Sequence, residues 1–303
     1  MPQSRKLASR AKPAASLSLR RPGFSIVVVA ILIGCVERPH MVRSPLFPEC
    51  ELPSGYDRAA ILERLGRVLD PELDEPLLKL GFIRSLEIHD GHAFVTLRLP
   101  TSWCAVNFAY MMAEDIRRAL LGVEGIGEVS VRLGDHCAAA EIEAAVNAGK
   151  PFAQAFTGEG GDGLAALRGI FLRKGFLSRQ ERLLRELREA GCSAAAICSL
   201  RVGEVMPEAE AFVITRPGAQ PLEGGSAETL RRYLERRAEL GHDLGSTARL
   251  IVDPGGQPLP VERLEAYYRD ARTVRVSLEA NGAFCRAVLA KRRATAGGVD
   301  VQS

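Results

Sequence analysis

Two segments of alternating apolar and polar residues, Ile83 to His89 and Ala93 to Leu99, meet at the pair Asp90-Gly91. Both residues of a tight hairpin turn need positive φ, and Asp-Gly supplies this at little steric cost, so this stretch is committed to a β-hairpin. Alternation over most of both segments also means that the hairpin buries mainly one face. Something else in the chain must cover it.

The flanking sequence supplies the cover. Asp57 can cap a helix in which Ile61, Leu62, Leu65, Val68 and Leu69 recur at helical spacing, ended by Pro71 in the DPELDEP segment. After the hairpin, Pro100 closes the second strand, and Thr101-Ser102-Trp103-Cys104 opens a helix from about Ala105 to Leu121. Its apolar side carries Phe108, Met111, Met112, Ile116 and Leu120. Small residues from Gly122 to Gly127 then turn the chain into a third strand, Glu128 to Leu133. The order α-β-β-α-β predicts an α+β domain, a three-stranded sheet with helices packed on one face, over residues 56–137. Residues 138–303 read as a mostly helical C-terminal domain. Its helices are expected at Ala138 to Ala148, Gly163 to Lys174, Arg179 to Ala190, Ala227 to Leu240, Val261 to Ala271 and Val276 to Arg293. Short strands are expected at Ala211 to Thr215 and Arg249 to Val252, and GEGGDG at 158–163 reads as a linker.

Residues 1–55 read as an N-terminal extension and linker. Phe24 to Val36 is an apolar run behind a basic stretch, the layout of a signal peptide, and Leu32-Ile33-Gly34-Cys35 resembles a lipobox that would anchor the chain outside the cytoplasm. The alternative is a start at Met41, after which everything recognisable lies and which makes the protein cytoplasmic. Seven cysteines, an odd number without framework spacing, fit a reducing compartment. The formal charge of +3 is concentrated in the first 21 residues, and later basic runs alternate with Glu along helical faces, so a nucleic-acid partner is not expected. There is no GxSxG, Walker loop or HExxH, GEGGDG at 158–163 fits GxGxxG only as a linker without the Lys and Ser/Thr of a phosphate loop, and the protein is not expected to be an enzyme.

Chemistry is concentrated at Cys104, where a strand hands over to a helix N-terminus whose unpaired amides and dipole would favour a thiolate. Thr101, three residues earlier, is placed to bond the turn backbone and fix where the sulfur points. Asp70 and Glu72 offer hard oxygen ligands, although Asp before Pro is chiefly a turn residue. His136-Cys137, just past the third strand, can both ligate borderline metals. Cys192, Cys198 and Cys285 read as core or incidental residues.

Three of these features occur together: Asp70-Pro71-Glu72 after the first helix, Leu80-Gly81 before the first strand, and Thr101 to Cys104 after the second. Together they resemble the SUF-associated iron–sulfur cluster assembly family, the small domain of PaaD-like and SufT-like proteins, over about a quarter of the chain. The chain departs from that pattern at Ala105, where the family usually has proline, and at Trp103, where small residues are common. The resemblance implies a bacterial accessory protein in iron–sulfur cluster or metal-cofactor assembly, with Cys104 and Thr101 at the cofactor site and Cys104, Asp70, Glu72, His136 and Cys137 as candidate metal ligands. Its transient cargo would be an iron–sulfur cluster or iron. Its partners would be an assembly scaffold and a client metalloenzyme, such as a bacterial di-iron monooxygenase, with a homodimer as one way to complete a ligand set. The competing expectation is a protein-interaction module that keeps the fold without metal chemistry.

Overall fold

The computed structural model describes residues 55–156 and 163–296, which belong to one compact unit. The apolar run, Cys35, Met41 and most of the GEGGDG stretch lie outside the described residues. Among those described, no helix is long and apolar enough to cross a membrane.

The first helix, α1 (Arg58–Gly66), is capped as expected: the Asp57 carboxylate accepts hydrogen bonds from the amides of Ala59 and Ala60. It ends well before Pro71, and the DPELDEP segment is not a simple helix stop. It folds as a miniature hairpin, β1 (Leu69–Asp70) against β2 (Glu75–Pro76), with Asp74 in the left-handed region at φ 55°. A single turn, α2 (Leu77–Leu80), follows and leads into the sheet.

That sheet is β3 (Ile83–His89), β4 (His92–Arg98) and β5 (Glu128–Gly134), in the order β3-β4-β5. The β3–β4 pair is antiparallel around Asp90 (φ 48°) and Gly91 (φ 81°), and β4–β5 is parallel, bridged by α3 (Val106–Leu121). Alternation sorts the faces. Leu86, Ile88, Ala93, Val95, Leu97, Val129, Val131 and Leu133 point into a core shared with Ile61, Leu65, Met112, Ile116 and Leu120, while Phe94 and Arg132 face outward. Helix α4 (Ala139–Asn147) closes the free edge: the Asn147 side chain accepts from the Val131 amide (2.8 Å) and donates to its carbonyl (3.0 Å), and Glu143 accepts from Leu133 (2.7 Å). The short α5 (Phe152–Ala155) packs Phe152 edge-to-face against Tyr110.

The remainder is mostly helical, with two corrections. The helices expected at 163–174 and 179–190 are one, α6 (Gly163–Glu189), and those expected at 261–271 and 276–293 are also one, α9 (Leu264–Ala296). Between them lie α7 (Ala194–Ser199), strands β6 (Val205–Glu208), β7 (Ala211–Ile214) and β8 (Leu222–Ser226) in a second antiparallel sheet, and α8 (Ala227–Glu239). The strand expected at 249–252 is reduced to isolated bridges, Arg201 with Arg249 and Val252 with Pro258. Helices α6, α8 and α9 pack around Phe176, Leu183, Leu184, Leu230, Tyr233 and Leu264.

Asp74 joins this helical region to the first sheet domain. Its buried carboxylate takes two hydrogen bonds from Arg179 of α6 (2.7 and 2.9 Å) and a short one from Arg236 of α8, and Arg232 donates to its carbonyl (3.1 Å). Three guanidiniums on one residue of a strained turn make a buried polar hub between the two regions.

Candidate functional site

The turn between β4 and α3 is built so that Cys104 lies one residue before the helix N-cap. That cap is Ala105, which has no side-chain oxygen to claim the amides of the first turn. The Thr101 hydroxyl reaches the sulfur itself, with Oγ1 3.2 Å from Cys104 Sγ, rather than the turn backbone expected from its position. Cys104 is partly exposed, and Trp103 beside it projects into solvent at 75% exposure.

Residues after β5 hold the turn from below. The ring of His136 is buried, its Nδ1 accepts from the Ala138 amide (3.2 Å), and its Nε2 is 2.8 Å from the Cys104 carbonyl. An accepting Nδ1 fixes the tautomer with hydrogen on Nε2, which therefore donates to that carbonyl. Both ring nitrogens are thus engaged by backbone, and His136 positions Cys104. The amide of Cys137 donates to the Ser102 carbonyl (2.8 Å), stitching the two loops together while its thiol faces solvent.

On the other side lies the β1–β2 hairpin. Asp70 Oδ1 accepts from the amides of Glu72 and Leu73, both at 2.9 Å, the turn role that an Asp-Pro segment implies. Burial pushes its carboxyl up to about 6 against the pull of those two amides, with the charges of Glu72 and Glu75 adding to the rise.

Cys285, read from the sequence as a core or incidental residue, packs against the core. It lies on α9 and is partly buried. Burial, followed by the negative charges of Asp70, Cys104 and Glu72, pushes its thiol up to about 11. Neighbouring residues of α9 span the site: Asn281 reaches Glu72 (3.5 Å), Arg286 pairs with Glu75 (3.1 and 3.2 Å), Leu289 enters the core, and Arg292 donates to the carbonyls of Leu99 (2.8 Å) and Pro100 (3.2 Å). Sequence reasoning missed this docking of α9, and the available signal was the spacing 278, 281, 285, 289 and 292, one helical stripe.

Chemically, then, the site offers one hydroxyl-supported sulfur at a helix start, and a buried carboxyl on the β1–β2 hairpin. The five residues expected as metal ligands are not gathered into one set: among the described residues no three His, Cys, Asp or Glu side chains come together to hold a metal ion.

Residues 58–132, which span α1 to β5, match the family model described as iron-sulfur cluster assembly protein. The chain is also similar to proteins named iron-sulfur cluster carrier protein. That of Deinococcus radiodurans is 36% identical over 75 residues, 25% of this chain and 21% of the relative. Those of Mycobacterium bovis and Mycobacterium tuberculosis are 35% identical over 80 residues, 26% of this chain and 20% of each relative. The chain thus spans about a fifth of the length of these relatives.

Proposed function

Residues 58–132 form a domain of the iron–sulfur cluster assembly family, and from that premise we propose that the protein acts in iron–sulfur cluster assembly as a carrier or adaptor and not as a turnover enzyme. The observation that carries this reading is the Thr101–Cys104 turn. A partly exposed sulfur is held by a hydroxyl at 3.2 Å, on a backbone pinned by His136, next to uncapped amides. Such a sulfur gives its electron pair to an iron of the cargo as its proton passes to solvent, and releases the iron by exchanging places with a ligand of the recipient. Clusters need about four thiolate or imidazole ligands. Part of the set therefore comes from a partner: a scaffold, the client, or a second copy.

The finer reading is a bacterial cytoplasmic accessory factor whose client is a metalloenzyme, a di-iron monooxygenase among the candidates, with the helical region recognising that client. Anaerobic loading with ferrous iron and sulfide tests the carrier role. Wild type is expected to gain visible absorption and bound iron, and Cys104→Ser to lose most of both; matching spectra without iron in the two proteins overturn it. The second reading, an interaction module without metal chemistry, draws on the exposed Trp103 and the lack of a three-ligand set among the described residues. Under it, Cys104→Ser leaves client maturation intact and Trp103→Ala abolishes partner capture.

A further inference from the structure

Between the end of β4 and the sulfur, the carbonyls of Leu99, Pro100, Ser102 and Cys104 are each held by a hydrogen bond. Two of the donors follow β5: the Cys137 amide donates to Ser102 (2.8 Å) and the His136 ring to Cys104 (2.8 Å). The other two carbonyls are held from far away in sequence. Arg292 of α9 donates through Nη1 to Leu99 (2.8 Å) and Pro100 (3.2 Å), the residues that lead into Thr101. Its Nη2 lies 3.5 Å from the Asp135 carboxylate, one residue before His136. A single guanidinium therefore ties the strand that enters the turn to the loop that holds its far end. The arginine fork suits that geometry, and a point-charge ammonium does not.

Arg292 arrives there because α9 is fixed on both regions. Arg275 and Glu279 pair with Glu181 and Arg182 of α6, and Arg286 pairs with Glu75 on the β1–β2 hairpin (3.1 Å). Leu289, three residues before Arg292 on the same side of the helix, is buried in the core of the sheet domain. That burial sets the rotation of α9 and presents Arg292 to the end of β4. Residues 58–132, which match the assembly family, do not include this clamp.

We infer that Arg292 is a positioning residue for Cys104, keeping the turn in the geometry that sets the sulfur against the Thr101 hydroxyl, so that the helical region controls the reactivity of the thiol. What that control serves rests on the carrier reading, whereas the positioning itself involves no metal. Without the guanidinium, the Leu99 and Pro100 carbonyls lose that donor and Asp135 loses its link to them. The turn then opens more often and lifts Cys104 away from the core residues on which it packs.

Alkylation of Cys104 by iodoacetamide tests this in the metal-free full chain, read by mass spectrometry across a pH series with Cys192 as internal reference. The plateau at high pH, where the thiol is ionised, reports access to the sulfur. Arg292→Ala is expected to raise that plateau about fivefold, the change in open population when one hydrogen bond of ordinary strength is lost. Arg292→Lys, which reaches a carbonyl only as a point charge, is expected to give a smaller rise. Arg286→Ala cuts α9 from Glu75 without touching the turn, and is expected to leave the Cys104 plateau at its wild-type value. A plateau unchanged in Arg292→Ala overturns the inference. So does an equal rise in Arg286→Ala, which would make docking of α9 as a whole the cause. Should Cys192 rise together with Cys104 in Arg292→Ala, the chain has loosened generally and Arg292→Lys decides by the same comparison. Iron and sulfide loading keeps the two readings apart: uptake indifferent to Cys104→Ser sinks the carrier reading and leaves alkylation to decide the place of Arg292.

Discussion

Asp70 is asked to do two opposed things: its Oδ1 organises the turn by accepting two amides, while burial disfavours its charge and raises its carboxyl to about 6 from 3.8. A carboxyl raised on folding binds more protons in the native state, so its contribution is fully present below the unfolded value and is lost as pH rises through about 6. A shift of this size corresponds to about 3 kcal/mol at most. In the metal-free protein, Asp70→Asn keeps the accepting oxygen and removes the charge. It is expected to raise Tm at pH 7.5 and to flatten the fall of Tm between pH 4.5 and 7.5; unchanged melts at both pH values sink this account. His136 acts through geometry instead. His136→Ala leaves the Cys104 carbonyl without its donor and should lower stability by about 1–3 kcal/mol in urea denaturation, with the Cys104 alkylation rate changing while the distant Cys192 rate does not. Thr101 and Cys104 were legible in sequence because a turn motif is local. His136 was visible as a chemical type, yet its role depends on contacts that only the folded chain makes.

At the scale of elements, the three strands of the first sheet and α1, α3 and α4 could be read within a few residues, because alternation and helical spacing follow directly from one buried face. What failed were the interruptions. Gly175 to Ser178 looks like a break in α6 and Arg272 to Val276 like one in α9, but tertiary partners carry both helices through. Arg275 pairs with buried Glu181 and with Glu279, and Arg179 with Asp74. Strand β8, LEGGS, carries two glycines where alternation would have to show, so its edge was invisible. The role of Asn147 was hidden because a side chain imitating a neighbouring strand has no sequence signature. Asn147→Ala strips the β5 edge of both bonds at Val131 and is expected to cost about 1–3 kcal/mol. It should also raise amide exchange at Val131 selectively; exchange that stays slow there would show that α4 shields the edge without that side chain.

At the scale of the molecule, the assembly domain and the helical region are coupled through Asp74, and the same residue explains a glycine inside a long helix. A Cβ added at Gly175 would lie 3.0 Å from both Cγ and Oδ1 of Asp74. On an exposed helix, Gly→Ala normally stabilises by about 1 kcal/mol. Here the carboxylate cannot retreat, because Arg179 and Arg236 hold it, so Gly175→Ala is expected to destabilise by about 1–3 kcal/mol. Asp74→Gly accepts the left-handed backbone without strain and removes the carboxylate, leaving Arg179 buried without its anion and Arg236 with Glu239 alone; breaking such a buried pair costs about 3–5 kcal/mol. The double variant separates these effects. With the carboxylate gone, alanine at 175 meets no obstacle and regains its helical advantage, so the second substitution should become neutral or stabilising in the Asp74→Gly background. Urea denaturation of the four proteins of the cycle, read at pH 7.5, measures that coupling. Strictly additive losses would mean that Asp74 and α6 do not press on each other, and that α6 reaches the assembly domain by some contact other than this hub.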